Sequence, residues 1–279
     1  MSRLTKPEVK RHKQALKYIN ELPSITDLDT KEEYELYVLQ NFDPGYTAAH
    51  LVVNAGIFFT PVELAKDFRV EAQGHRSIID LCAGIGHLSY WIQEWVKWDE
   101  FELICVEINP EFVAVGKVLV PKASWICADI LDPHFPGKFL DKQFDFAIAN
   151  PPFGKNMAMK KTPHLNYTGG SFEFKAIEIA SKVAKAGSFI IPQSSSPIIH
   201  YPRAGQSYNN NSKEYLKFNK ETGICLENNC GIDANGHQWK GATPKVEIIT
   251  CDFTTQTIPA CKPNRSSGSV NLPSLFPTE

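Results

Sequence analysis

Short apolar runs alternate with segments of helical periodicity through the middle of this chain. Ser77-Ile78-Ile79-Asp80-Leu81 is a compact apolar run that stops at the glycine turn Ala83-Gly84-Ile85-Gly86. His87 to Lys97 then places Leu88, Trp91, Ile92 and Trp95 on one helical face. The alternation repeats with a strand at Leu103–Glu107, a helix from Pro110 to Leu119, and a strand at Ser124–Cys127 that leads to Asp129. A fourth strand, Phe144–Ala149, runs into Asn150-Pro151-Pro152-Phe153. A helix over about 172–185 and a strand at Ser188–Ile191 complete the series. Strands alternating with helices of this length predict an α/β fold: a parallel sheet with right-handed crossovers and helices on both faces.

The flanks read differently. Apolar positions at loose helical spacing predict a helix over about 7–22, ended by Pro23-Ser24, and a second over about 31–40. Asp43-Pro44-Gly45 is a turn, and a helix-compatible stretch covers about 46–55. Thr60 reads as an N-cap and Pro61 as the first residue of a helix over about 61–71. Beyond Pro192, residues 193–222 are rich in Ser, Asn, Tyr and Pro and read as a flexible loop with one helical turn. Gly223–Leu226 and Val246–Cys251 read as two strands forming an antiparallel hairpin at the sheet edge, joined by a polar excursion. Residues beyond about 255 read as a disordered tail.

Composition narrows the class. No apolar run approaches the ~20 residues that span a bilayer, and the N-terminal stretch lacks a signal-peptide core. The seven cysteines show no framework spacing, so a reducing, cytoplasmic setting is expected. Cys225 and Cys230 with His237 nearby make a poor zinc set, and no metal is expected. A net charge of −2 argues against binding nucleic acid by charge alone. The first twenty residues nevertheless carry Arg3, Lys6, Lys10, Arg11, Lys13 and Lys17 against Glu8, a face that either rests on phosphates or is simply solvated.

In open α/β sheets, ligands bind beyond the carboxyl ends of the strands. Four distinctive groups end four successive strands here. Gly84 and Gly86 permit close backbone approach to a ligand, with Asp80 orienting their loop or accepting from a cationic group. Glu107 stands about twenty residues on, where a carboxylate can accept both hydroxyls of a ribose, and Asp129 is placed to accept from an adenine amine. At Asn150–Phe153, two prolines fix φ and remove two N–H donors, leaving a rigid corner. The Asn150 side-chain oxygen and the Pro151 carbonyl can accept both hydrogens of a planar amine while Phe153 stacks on the attached ring.

This ordered series resembles the Rossmann-like S-adenosylmethionine-dependent methyltransferases that act on amino groups, in particular the DNA adenine-N6 enzymes related to type I modification subunits and several type II enzymes. The resemblance covers about residues 50–195. It implies a mixed seven-stranded sheet, mainly parallel. It also implies that Phe59, Thr60 and Pro61 lie along the methionine part of the cofactor. Asp80, Ala83, Gly84 and Gly86 would form its first motif, Glu107 and Ile108 would take the ribose side, and Asp129 and Ile130 the adenine. Asn150, Pro151, Pro152 and Phe153 would be the catalytic corner, with Asn150 also touching the cofactor. The chain then divides into an N-terminal helical region (1–50), a methyltransferase domain (51–254, with a flexible loop and small recognition element at 193–245) and the tail (255–279).

The implied reaction is methylation of adenine N6 in DNA, on a base flipped out of the duplex, in the cytoplasm of a bacterium or phage-infected cell. Sequence choice would be low or supplied by a specificity subunit, because little chain follows the fifth strand. Lys155, Lys160, Lys161 and Arg203 are candidate phosphate contacts; a solvated loop explains them equally well. An RNA or protein-glutamine amino methyltransferase and a non-catalytic cofactor-binding subunit are the alternatives.

Overall fold

The computed structural model describes residues 5–43, 58–95, 101–139, 143–153, 162–201, 205–208, 212–240 and 244–255. The helix expected at 46–55 and nearly all of the predicted tail lie outside them. The described strands are β1 (Ser77–Leu81), β2 (Glu102–Glu107), β3 (Ser124–Cys127), β4 (Phe144–Ala149), β5 (Ala184–Pro192), β6 (Ile198–Tyr201), β7 (Gly205–Tyr208), β8 (Glu227–Asn228) and β9 (Val246–Asp252). The α-helices are α1 (Lys6–Glu21), α2 (Leu28–Asn41), α3 (Val62–Phe68), α4 (His87–Trp95), α5 (Pro110–Leu119), α6 (Phe172–Val183) and α7 (Lys213–Thr222).

Seven strands form one Rossmann-like sheet in the order β3-β2-β1-β4-β5-β9-β8. β1 to β5 pair in parallel, and β9 joins antiparallel to β5 with β8 beyond it. Because side chains alternate across a strand, each strand supplies both faces. Ile79, Leu81, Ile104, Val106, Ala147 and Ala149 meet Phe174, Ile177 and Ala180 of α6 on one face. Ile78, Cys105, Phe146 and Ile148 meet α3, α4 and α5 on the other. The continuous burial of β1, β2 and β4 explains their near-unbroken apolar sequences. The predicted sheet is therefore the observed one, with helices on both faces.

The N-terminal pair α1–α2 packs on the α3–α4 face through Ala15, Val38, Leu39 and Phe42. Two buried polar ties fix it there: the Tyr90 hydroxyl donates to Glu35 at 2.9 Å, and the His87 ring meets the Leu39 carbonyl at 3.0 Å. No helix among the described residues is long and apolar enough to cross a membrane.

Three local expectations need correction. Residues 193–222 hold more than a loop: β6 and β7 form a separate hairpin, and α7 is a helix of ten residues. Ser212 caps α7 by accepting the Tyr215 N–H, Gly223 ends it at φ 74°, and Tyr215 and Phe218 are buried one turn apart. Gly223–Leu226 is not a strand; the hairpin partner of β9 is the two-residue β8 just after it. Thr60 does not cap α3. Pro61 occupies that position, and the Thr60 hydroxyl is used elsewhere.

Candidate active site

β1, β2, β3 and β4 are parallel neighbours, so their carboxyl ends share one edge of the sheet. A cleft opens there, walled by Phe58, Phe59 and Thr60 on one side and by the strand ends on the other. Ala83, Gly84, Glu107, Ile108, Asp129, Ile130, Asn150 and Pro152 all line it. These residues span seventy positions of sequence and were expected to converge.

The floor is the turn after β1. Cys82, Gly84 and Gly86 all take positive φ (68°, 59° and 94°), which folds the backbone tightly against the cleft. A Cβ on Gly84 would lie 3.2 Å from the Phe59 ring, and one on Gly86 would lie 2.6 Å from Val120 Cγ2. Gly84 thus lets the turn sit under Phe59, while Gly86 packs backward into the core and does not face the cleft. The Gly84 N–H donates to Glu107 Oε2 at 2.9 Å, and the Asn109 N–H donates to Oε1 at 2.9 Å. Glu107 is thereby locked to the turn. Burial raises its pKa, opposed by these backbone donors, and the carboxylate keeps acceptor capacity for hydroxyls.

Beyond Glu107 the wall becomes an apolar slot of Ile108, Ile130, Leu131, Pro152 and Phe172. Ile108 is 55% exposed, an unusual state for isoleucine that a flat aromatic ligand would cover. Asp129 Oδ1 accepts the Leu131 N–H at 2.8 Å, which holds its carboxylate at the slot. A ribose acceptor beside an apolar slot with a carboxylate suits an adenosine.

At the end of β4, the Asn150 side-chain nitrogen donates to the Phe58 carbonyl and to Thr60 Oγ1, both at 2.9 Å. The Phe58 carbonyl can only accept, so the amide nitrogen must face it. Both amide hydrogens are then spent, and Oδ1 is buried with no hydrogen-bond partner. A buried acceptor left unpaired costs about 1–3 kcal/mol, so this oxygen is held for a donor from outside the chain. Phe153 lies 5.8 Å from the Phe58 ring and 6.1 Å from the Trp239 ring, centroid to centroid.

Some predicted residues stand elsewhere. Asp80 is buried and does not line the cleft; its carboxylate lies behind the turn, accepting the Ser89 hydroxyl at 2.6 Å. Period-two alternation explains this, because Asp80 shares the α4-facing side of β1 with Ile78. Pro61 lines a neighbouring cavity with Phe42, His237 and Lys240. Lys155, Lys160, Lys161 and Arg203 lie outside the described residues. Lys217 on α7 is engaged by Glu221 and the Thr168 hydroxyl, each at 2.7 Å.

His87, Phe172 and Trp239 are among the cleft or corner residues that the sequence did not mark as such. His87 carries no motif signal, yet it lines the cleft against Phe59 (5.0 Å), neutral because burial pushes its pKa down to about 4. Phe172 was marked only as the start of the helix predicted over about 172–185. Trp239 sat in the polar excursion before β9, where a lone aromatic gives no periodicity to read.

The methyltransferase small domain family matches residues 63–167, from α3 through the catalytic corner to the segment before α6. Over that segment the chain resembles the methyltransferases of this family. No curated protein sequence matches the chain. Among solved structures, a type I restriction-modification methyltransferase subunit from Streptococcus thermophilus aligns with TM-score 0.53 at 14% identity, covering 80% of this chain. The match covers 49% of that subunit, so this chain spans about half its length. A putative RNA methyltransferase from Pyrococcus horikoshii aligns with TM-score 0.42 at 19% identity, over 72% of this chain and 87% of its own. The cleft fits S-adenosylmethionine: Glu107 suits the ribose, the Ile108–Phe172 slot the adenine, and Phe59, Thr60 and Gly84 the methionine end.

Proposed function

We propose that this methyltransferase methylates the exocyclic N6 of adenine in DNA, with sequence choice low or supplied by a partner subunit. The Asn150 amide carries this reading. Its nitrogen is committed to Phe58 and Thr60, so its oxygen is presented as an acceptor at the cofactor cleft. An exocyclic amine is a poor nucleophile because its lone pair is delocalised into the ring. Asn150 Oδ1 and the Pro151 carbonyl accept its two hydrogens, which draws the nitrogen toward tetrahedral geometry and localises the lone pair. Bound S-adenosylmethionine supplies an electrophilic methyl carbon on sulfur. Glu107 and the Gly84 turn would hold the cofactor beside the amine, so that much of the acceleration would be proximity. As the N–C bond forms the S–C bond would break and S-adenosylhomocysteine would leave. The amine's surplus proton leaves to water.

The aromatic cluster of Phe58, Phe153 and Trp239 favours a nucleobase over a glutamine side chain, because it offers ring faces rather than an open polar channel. A base inside a duplex is out of reach, so the target is single-stranded or flipped out. Incubation with methyl-labelled cofactor and, separately, unmethylated DNA, RNA and protein tests the reading, with the labelled nucleoside identified by mass spectrometry. N6-methyladenine in DNA is the expected product. Label confined to RNA, to protein or to cytosine overturns it.

A further inference from the structure

Trp239 comes from the segment between β8 and β9, nearly ninety positions from Asn150 in sequence, yet it closes on the same corner. Its ring packs edge-on against Phe58 (centroids 6.5 Å, 85°) and against Phe153 (6.1 Å, 61°). Phe58 is the residue whose carbonyl holds the Asn150 amide, and Phe153 ends the corner itself. The segment carrying Trp239 is pinned on both sides. Asn229 donates to the Ile248 carbonyl at 2.9 Å, Asn235 Oδ1 accepts the Val246 N–H at 3.2 Å, and Lys240 pairs with Asp43 at 3.2 Å. Trp239 is therefore placed by the scaffold.

Packing accounts for the indole ring but not for its nitrogen. Trp239 is only 8% exposed, and its Nε1–H is buried without a hydrogen-bond partner. A phenylalanine would offer an aromatic ring there without burying an N–H. Asn150, which the Phe58 carbonyl holds at the same cluster, has Oδ1 as an acceptor without a donor. Two unpaired buried polar groups of opposite character thus border one aromatic cluster, and a ligand that presents both a donor and an acceptor can answer both. Adenine does so on each edge, where the N6 amine neighbours N1 on one side and N7 on the other.

Resting on the adenine reading above, we propose that Trp239 is a specificity-determining residue whose indole N–H donates to a ring nitrogen beside the target amine. Stacking alone tolerates any base. A buried donor instead rejects a base that lacks the acceptor, because the N–H is then left unpaired on binding. The residue acts on choice and orientation of the base and touches neither the cofactor nor the transferred methyl.

The experiment compares the full chain with Trp239→Phe, which keeps an aromatic ring and removes the N–H. Substrates are oligonucleotides with randomised flanks holding one adenine, one 7-deazaadenine or one 1-deazaadenine, and the readout is kcat/KM for methyl transfer. Unaltered protein should lose roughly tenfold on one of the two deaza bases. Trp239→Phe should lose about as much on adenine, and nothing more on that same deaza base. Cofactor affinity should be unchanged, which also reports that the variant is folded. If unaltered protein methylates adenine and both deaza bases equally, the proposal is wrong, whatever the variant does. An equal loss by the variant on every base marks a packing role and overturns it too. Failure of unaltered protein to methylate any adenine would instead overturn the adenine reading, and this inference with it.

Discussion

The two halves of the site are built in opposite ways. The cofactor half is made of strand ends and the turns that follow them: Gly84 after β1, Glu107 at the end of β2, Asp129 after β3. Each group is positioned by hydrogen bonds to residues close in sequence or on the adjacent strand, as Glu107 is by Asn109 and Gly84. The target half has one strand end, Asn150–Phe153, and gathers its other groups from afar. Phe58 and Thr60 come from ninety residues upstream and Trp239 from downstream. The cofactor half can be precise because the sheet fixes it. The target half can change its substrate by changing segments that the sheet does not constrain.

The sharpest way to break this division is at Asn150, which borders both halves. Asn150→Ala removes the amine acceptor and leaves Phe58 and Thr60 without their donor. Turnover at saturating cofactor should fall by roughly a thousandfold or more, while the cofactor dissociation constant stays within about threefold. Single-turnover kinetics and calorimetric titration separate the two. A loss of cofactor affinity as large as the loss of turnover would place Asn150 in the cofactor half and collapse the comparison. The mirror-image variant is Glu107→Ala. It should weaken cofactor binding by about ten- to a hundredfold and leave turnover at saturation nearly intact. Unchanged affinity would rule out the hydroxyl-binding role.

The same division explains what could be read from sequence. Strands β1, β2, β4 and β5 were legible because burial on both faces writes nearly continuous apolar runs. β3 is a short half-exposed edge strand marked by its place in the alternation, and the cofactor half was legible because its groups sit at the strand ends. Asn150–Phe153 was legible because two prolines leave the backbone few alternatives. Thr60 was misread because a Thr-Pro pair is a good local helix start, and only the tertiary structure shows its hydroxyl given to Asn150 instead. Trp239 was invisible for a related reason: its partners are Phe58 and Phe153, and no local pattern records them. The helix α7 is different. Ser212 and Gly223 bracket it with ordinary cap signals, but the polar surroundings drew it into the neighbouring loop.

Smaller effects test the scaffold under the cofactor half. Gly86 has φ 94°, and an added Cβ would meet Val120 Cγ2 at 2.6 Å. Gly86→Ala should cost about 1–3 kcal/mol of stability, seen as a fall of roughly 2–10 °C in Tm. Turnover of the folded protein at saturating cofactor should survive, since Gly86 faces the core. Lost turnover with an unchanged Tm would mean that the turn contacts ligand through Gly86 after all.

Asp80 gives the subtlest test, through pH. It is fully buried behind the turn, Ser89 donates to one of its oxygens, and the other has no partner. Burial is the main cause that pushes its pKa up to about 7, with Glu107 adding to the rise and the Ser89 hydroxyl opposing it. In the unfolded chain an aspartate titrates near ~3.9. Between those values the folded protein holds a proton that the unfolded chain does not. This contribution is therefore fully present below about pH 4 and is lost as pH rises toward about 7. His87 works in the other direction: its pKa, lowered to about 4 by burial, contributes stability above ~6.5 that is lost as pH falls. The total stability curve mixes the two, but the difference between Asp80→Asn and the unaltered protein isolates Asp80. That difference should shift in favour of the variant as pH rises from about 4 to about 7, by roughly 1 kcal/mol or more, measured by denaturant unfolding at each pH. A difference that stays flat across the window would mean that Asp80 is already ionised behind the turn, and that the cofactor half rests on a buried charge.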